Sequence, residues 1–397
     1  MPTVGETLTL ADLERDPDGI LARLRREEPV SWIPSMKMWL VTRWADVEYV
    51  DNHPELFSAR TEPSFLARAL GRNMLTLDPP ESTRARTAML PSFQPRGVSG
   101  RFAAGELAEL ADSFIDAIAD RGEADLMADY AAPLASASLA RVLGIDAEGW
   151  EKVWDWCRGL CTDLANFEDD PELRAVGDAA RDDLGEVLNR YLDEIDDHSG
   201  DCALADFVGA RPEGGPLTRE EIINNVRLMI SGGINEPVDG IGLLAMTVMA
   251  DPELRSRLTG NPALWRRATE EALRLYTPVG TITRQASVDT VLAGSAVAKG
   301  DLVSGVLRSA NLDEARWSDP TRFDIDRREG GHAAFALGDH RCLGEWLGRQ
   351  EVRVGTQRLF ERLEGLRLAP GEVPVLTGFE FRGPTSLRVV WDRVRYP

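Results

Sequence analysis

The chain lacks any run of about 18 consecutive apolar residues, so no membrane-spanning helix is expected. It also lacks a basic excess. Its 397 residues carry 45 Lys+Arg against 66 Asp+Glu, a formal net charge of −21. Phosphate binding needs a net basic face, so nucleic acid is not an expected partner. An anionic membrane surface is disfavoured for the same reason. The opening segment MPTVGETLTLADLERD lacks the basic-then-apolar order of a signal peptide, and the chain is expected to be soluble and cytoplasmic. Cysteine and histidine are scarce, at four each. Cys157, Cys161, Cys202 and Cys342 match no zinc or CxxC redox spacing. His53, His198, His332 and His340 are too scattered for a multi-histidine metal site. Any metal chemistry must rest on Cys342 and a cofactor brought in from outside.

Repeats, low-complexity tracts and long linkers are absent too. Length alone suggests two to three domains. Yet only short breaks interrupt the chain, at 196–216 and 327–332, which argues against cutting it. A composition of 43% apolar and 28% charged residues is that of an ordinary globular protein with a sizeable core. Short strands are expected within 30–42, 279–305 and 386–392. The middle of the chain reads as helix. In 106–121, Leu107, Leu110, Ala111, Phe114 and Ile118 recur on one face at a period of 3.6. The longest helix candidate runs over 218–250, opened by the capping-box pair Thr218 and Glu221. A helix of roughly 30 residues would be about 45 Å long and cross the whole molecule. The fold class expected is mainly α with a minor β portion.

That central helix carries a fault, Ser231-Gly232-Gly233-Ile234-Asn235-Glu236-Pro237. Pro237 has no N–H for the Gly233 carbonyl and its ring clashes with it. The glycines add backbone freedom. A kink is expected, serving either as a packing bend or as a groove where a ligand or small gas molecule approaches the backbone. A second feature lies downstream. Phe335-Ala336-Leu337-Gly338-Asp339-His340-Arg341-Cys342-Leu343-Gly344 precedes an apparent helix. A cysteine just before a helix sits where N–H groups stabilise a thiolate. Glycines beside it permit a flat ligand to approach. Alone, such a cysteine is more often an inert core residue.

This segment resembles the haem-binding loop of cytochromes P450, FGxGxHxCxG, with Ala336 in place of the first glycine. Cys342 takes the position of the axial thiolate ligand. Glu271-Ala272-Leu273-Arg274 matches the family's ExxR motif, whose spacing puts both charges on one helix face. Pro320, Phe323 and Arg327 match the PxxFxxxR stretch that completes a three-residue ion network. Asp78-Pro79-Pro80-Glu81-Ser82-Thr83-Arg84-Ala85-Arg86 is similar to the DPPEHTRxR segment of bacterial members, with Ser82 replacing histidine. The resemblance implies that Arg86, Arg284 and His340 face the haem propionates, and that Phe335 and Gly344 help bind the cofactor. It covers nearly the whole chain and implies one domain over 1–397, with haem b held between the kinked central helix and the cysteine loop.

Thiolate ligation of haem favours O–O cleavage, so the resemblance implies a monooxygenase acting on a small organic substrate. The family's acid–alcohol pair is absent here: Asn235 and Glu236 stand in those positions. Three readings stay open. Glu236 is the proton relay, its pKa raised in an apolar pocket. Or it is the base of a peroxide-dependent peroxygenase. Or the protein only binds haem or a ligand. The Asn-Glu-Pro motif and the tail 381–387 are similar to a subset that includes aromatic O-demethylases, while tailoring of a secondary metabolite is the competing substrate reading. By position, Gly233, Ile234, Val279, Gly280, Thr281, Phe65, Leu66, Leu164, Phe167, Gly378 and Phe379 are candidate pocket residues, each equally able to be core packing. Cys157 and Cys161 read as packing residues. No flavin or iron–sulfur module is present, so electrons are expected from a ferredoxin with its reductase, docking on Arg341, Arg349 and Arg353.

Overall fold

Alternating apolar residues set the small β portion. The computed structural model describes residues 3–102, 105–195 and 202–396. Val30–Ile33 and Met38–Val41 form a hairpin in the register Val30↔Val41 to Ile33↔Met38. Leu302–Val306 adds parallel to its second strand, Thr281–Ala286 pairs antiparallel beyond it, and Phe57–Ser58 closes the edge. The sheet's inner strand, Leu302–Val306, is buried along its length, and its central Ser304 hydroxyl is met by that of Thr283 at 3.1 Å. Arg388–Val390 in the tail pairs with Glu123–Asp125, so all three expected strand regions contain strands.

The rest is mostly helix. Glu106–Ile118 buries Leu107, Ala111, Ile115 and Ile118, the face expected from the 3.6 period. The helix expected over 218–250 is two helices, Arg219–Gly232 and Asn235–Ala250. Thr218 and Glu221 do form the capping box at the start. The break precedes Pro237, which becomes the third residue of the second helix. There its missing N–H costs nothing, because the first four N–H groups of a helix have no internal partner. Gly233 makes the turn. A Cβ there would lie 2.6 Å from the Met229 carbonyl and 3.0 Å from Leu139 Cδ2. The Cys157 and Cys161 thiols lie 3.7 and 3.5 Å from the Ser231 carbonyl, which the break frees. The two cysteines therefore finish a helix end as well as fill space.

Part of the break expected at 196–216 (196–201) lies outside the described residues, and Ala203–Gly209 within it is helical. The main apolar cluster draws on residues from Ala69 to Trp391. No helix among the described residues is long and apolar enough to cross a membrane.

The helix that follows the cysteine loop, Glu345–Arg362, packs into this core with a charge attached. Glu351 is fully buried, and neither oxygen makes a hydrogen bond of normal geometry. Burial pushes its carboxyl up to about 8, and the nearby Ser138 hydroxyl offsets only a little of that. A folded-state pKa above the unfolded value means stability that is present at low pH and lost as pH rises. Each pKa unit is worth about 1.4 kcal/mol. The urea midpoint should fall as pH rises from about 5 to above 8, and Glu351→Gln should flatten that fall. An equal fall in both proteins would contradict this.

Candidate active site

The cysteine loop is folded by its own backbone. The Cys342 N–H donates to the Phe335 carbonyl at 2.8 Å, and the Arg341 N–H to the Gly338 carbonyl at 2.9 Å. Ala336, at the position where the motif has glycine, adopts φ +60°. Its methyl is accepted in the left-handed region at a cost of about 1–2 kcal/mol. Gly338 cannot be replaced so easily, because a Cβ there would come 2.1 Å from the Asp51 carbonyl. The Gly344 N–H reaches the Cys342 thiol and favours the thiolate, but burial outweighs it and pushes the thiol up to about 11. The helix start therefore does not by itself make the thiolate expected from the sequence. A bound metal would have to take the proton's place for the thiolate to form.

Cationic and donor groups gather beside this loop. His340 Nε2 is buried without a hydrogen bond. Burial, then the Arg284 charge, bring its pKa down to about 4, so the ring is neutral at pH 7. Arg86 makes no hydrogen bond or ion pair among the described residues, and its charge is felt at Cys342. Arg86 and His340 line one small cavity with Ser82, Thr83, Met74, Leu75 and Asp339. Arg284 is placed differently. Its Nη2 donates to Asp51 Oδ1 at 2.8 Å. A thiol flanked by an unpaired guanidinium and an orphaned imidazole fits a haem, whose two carboxylates need such partners.

The Glu271–Arg274–Arg327 network is present. Arg274 grips Glu271 with two bonds of 2.7 and 2.8 Å, and Arg327 Nε donates to Glu271 Oε1 at 3.0 Å. Arg274 also donates to the Asn311 and Pro320 carbonyls, which ties this helix to the segment leading into the cysteine loop.

Across from the loop stands the start of the second central helix. Glu236 is half-buried, and its Oε2 has neither water contact nor a hydrogen-bond partner. Its charge is felt at Cys342. Burial raises its pKa well above the ordinary value; its own N–H lowers it, and Cys157, Asp239 and Glu380 raise it further. Asn235 turns away from the break and donates to Asp239 Oδ2 at 3.3 Å. Burial pushes Asp239 to about 7. Glu380, which accepts from the Thr281 hydroxyl at 2.6 Å, is likewise pushed by burial to about 7. No arginine or lysine figures among the charges acting on these three acids. Sequence reasoning missed Asp51, Asp239 and Glu380. Asp239 lies one turn beyond Glu236 and was open to detection; the other two reach the site only through tertiary packing.

Of the candidate pocket residues, Val279, Gly280, Thr281 and Phe379 come together. The tail lies along 278–281 through the Val279↔Phe381 bridge and a Gly280 N–H to Glu380 carbonyl bond of 2.6 Å. Phe65, Phe167 and Phe379 share an apolar cluster, with the Phe65 and Phe167 rings 5.9 Å apart. Ile234 and Leu164 belong to the main core, and Leu66 packs against it. Gly233 forms the helix break. The arginines expected to dock a partner are engaged within the chain. Arg341 pairs with Glu345, Arg349 with Glu270 and Glu345, and Arg353 with the Gln350 side chain. They are not a free basic patch.

Residues 263–374 match the family described as Cytochrome P450. Linalool 8-monooxygenase of Pseudomonas putida is 31% identical over 377 residues, 89% of this chain and 90% of that protein. The 20-oxo-5-O-mycaminosyltylactone 23-monooxygenase of Streptomyces fradiae is 32% identical over 365 residues, 87% of this chain and 82% of its own. The crystal structure of CalO2 superposes with a TM-score of 0.86 at 29% identity, covering 96% of this chain and 97% of that one.

Two variants test the loop. Cys342→Ser should lose the thiolate-type spectrum of the reduced carbon monoxide complex, and its retention would refute Cys342 as the ligand. Ala336→Gly should relieve the left-handed strain at a chain-entropy cost of about 0.5–1 kcal/mol. It should raise the denaturation midpoint, by up to about 1 kcal/mol in stability. A fall instead would mean that the methyl's contacts outweigh its strain.

Proposed function

The chain belongs to the cytochrome P450 family and is a monooxygenase of it, and on that premise we propose that Glu236 delivers the proton for oxygen activation on a natural-product substrate. Haem with a thiolate ligand supplies the oxygen chemistry when bound. We assign it as haem b in a single domain over 1–397, with Cys342 as ligand and Arg86, His340 and Arg284 at the propionate edge. Phe335 and Gly344 hold the loop that presents the sulfur.

The observation that carries the reading is the Glu236 carboxyl itself. Its Oε2 has no hydrogen-bond partner among the described residues, its charge acts on Cys342, and burial raises its pKa well above the ordinary value. A neutral carboxyl in that position can donate a proton and take another back. Asp239 and Glu380 lie within electrostatic reach and change charge near pH 7, so they can resupply it. Asn235 holds Asp239. Ile234, Gly233, Val279, Thr281, Leu164, Phe167 and Phe379 form the substrate side, mostly apolar, as a pocket that excludes water requires.

The tylactone relative supports a secondary-metabolite substrate over a small methoxy-aromatic one. Electrons come from a ferredoxin and its reductase in the cytoplasm. With Arg341 and Arg349 already ion-paired and Arg353 bonded to the neutral Gln350 side chain, that carrier docks through shape and backbone donors more than through a cluster of bare charge.

Glu236→Gln is the test. It should keep haem and the thiolate-type carbon monoxide spectrum while product per electron falls roughly tenfold or more. The parent's coupling should fall as pH rises, because the donor form exists only below the raised pKa. The variant should lose that dependence. Unchanged product per electron would refute the relay. Faster product formation with hydrogen peroxide than with oxygen and ferredoxin would favour the peroxygenase reading.

A further inference from the structure

Asp51 occupies an odd place for an acid. It is the penultimate residue of the helix Trp44–Asn52, where the helix dipole disfavours negative charge. Its side chain is fully buried. Nothing in its own helix requires it. What it does is spread its two oxygens over two other segments. Oδ2 accepts the Leu337 N–H at 2.7 Å and the Gly338 N–H at 2.8 Å. Oδ1 accepts Arg284 Nη2 at 2.8 Å. Its backbone carbonyl presses on Gly338 so closely that no Cβ would fit there. Arg284 Nη1 is meanwhile held by its neighbour's carbonyl, Thr283, at 3.1 Å.

One carboxylate thus fixes the first half of the cysteine loop and one of the cationic groups beside it. Leu337 and Gly338 lie five and four residues before Cys342, on the stretch that the Phe335 carbonyl closes back onto Cys342. The charge of Asp51 also cancels that of Arg284, and both are felt at His340 with opposite sign. Charge-assisted bonds of this kind are about twice as strong as neutral ones, and burial keeps them unscreened.

We propose that Asp51 is a positioning residue of the haem site: it clamps Leu337 and Gly338 and neutralises Arg284, so that it sets both the rigidity of the thiolate loop and the electrostatic potential at the iron. The proposal rests on haem lying against Cys342. It goes beyond the proton relay of Glu236, which is unaffected by its failure.

The haem-loaded full chain is the material for the test, and the iron's reduction potential is the main readout. Asp51→Asn keeps an oxygen for the two amides but removes the charge. A haem that loses a nearby negative charge is more easily reduced. The potential should rise, with the ferrous-to-ferric ratio at fixed potential increasing roughly threefold to tenfold. Arg284→Gln should move it the other way, and the double variant should return towards the parent. Asp51→Glu keeps the charge but displaces the amide contacts. It should leave the potential near the parent's while the carbon monoxide complex converts faster from the thiolate form on warming.

Asp112→Asn is the control. Asp112 pairs with Arg358 and Arg362 at the far end of the Glu345–Arg362 helix. Its loss should cost stability without moving the potential. If Asp51→Asn lowers stability but leaves the potential at the parent value, Asp51 is structural only and the proposal fails. It fails equally if the double variant shows the two shifts adding in one direction. If Asp51→Asn does not assemble, the Asp51→Glu and Arg284→Gln results decide alone: the proposal fails if Arg284→Gln leaves the potential unmoved, or if Asp51→Glu shifts it as far. A parent protein that takes up no haem would overturn the family's cofactor here, a separate and visible result.

Discussion

The carboxylate of Glu271 is where helix and loop are joined. It accepts two bonds from Arg274, one from Arg327 and one from the Asp324 N–H, all with almost no contact with water. Buried charges persist only when paired this fully, and breaking one such pair by removing a partner costs about 3–5 kcal/mol. The network therefore locks the segment 311–327 against the helix Trp265–Tyr276. The cysteine loop begins eight residues later, and its position is inherited from that lock. Asp51 holds the next stretch from the other side, and the helix Glu345–Arg362 anchors the far end in the core. Three separate constraints converge on one sulfur atom.

Charge is distributed unevenly around it. On the loop side nearly every ion is paired: Asp51 with Arg284, Glu345 with Arg341 and Arg349, Glu270 with Arg349 and His332. Arg86 forms no ion pair among the described residues and His340 is a neutral ring with no partner at Nε2, and a haem's carboxylates would complete both. On the central-helix side Glu236, Asp239 and Glu380 form no ion pair among the described residues, and burial raises all three, Asp239 and Glu380 to about 7. Acids in that state hold protons that can move at physiological pH. The break at Gly233 puts Glu236 and Asp239 in the first turns of a new helix, while Glu380 comes from the tail beside Thr281.

Much of this is legible in the sequence because it is local. The capping box at Thr218, the amphipathic face of 106–121, the Glu271–Arg274 spacing and the cysteine segment each depend on residues close together in the chain. The single long helix expected over 218–250 does not form, because Pro237 is not an interior proline. Placed at the start of a second helix it is favourable, and the two glycines before it carry the turn. Asp51 and Glu380 give no signal, since each meets its partners across 99 to 287 positions of chain. Of the arginines expected to dock a partner, Arg349 is neutralised in part by Glu270, on a helix 79 positions away, which the sequence does not show.

The proposed function has Cys342 and Glu236 facing each other across one cofactor. A crystal structure of the ferric, haem-loaded protein measures this directly. It should show the Cys342 sulfur on the iron and the Glu236 carboxyl on the opposite face of the ring, with no arginine or lysine against it. Iron held by another residue, or Glu236 turned away into an ion pair, would contradict it.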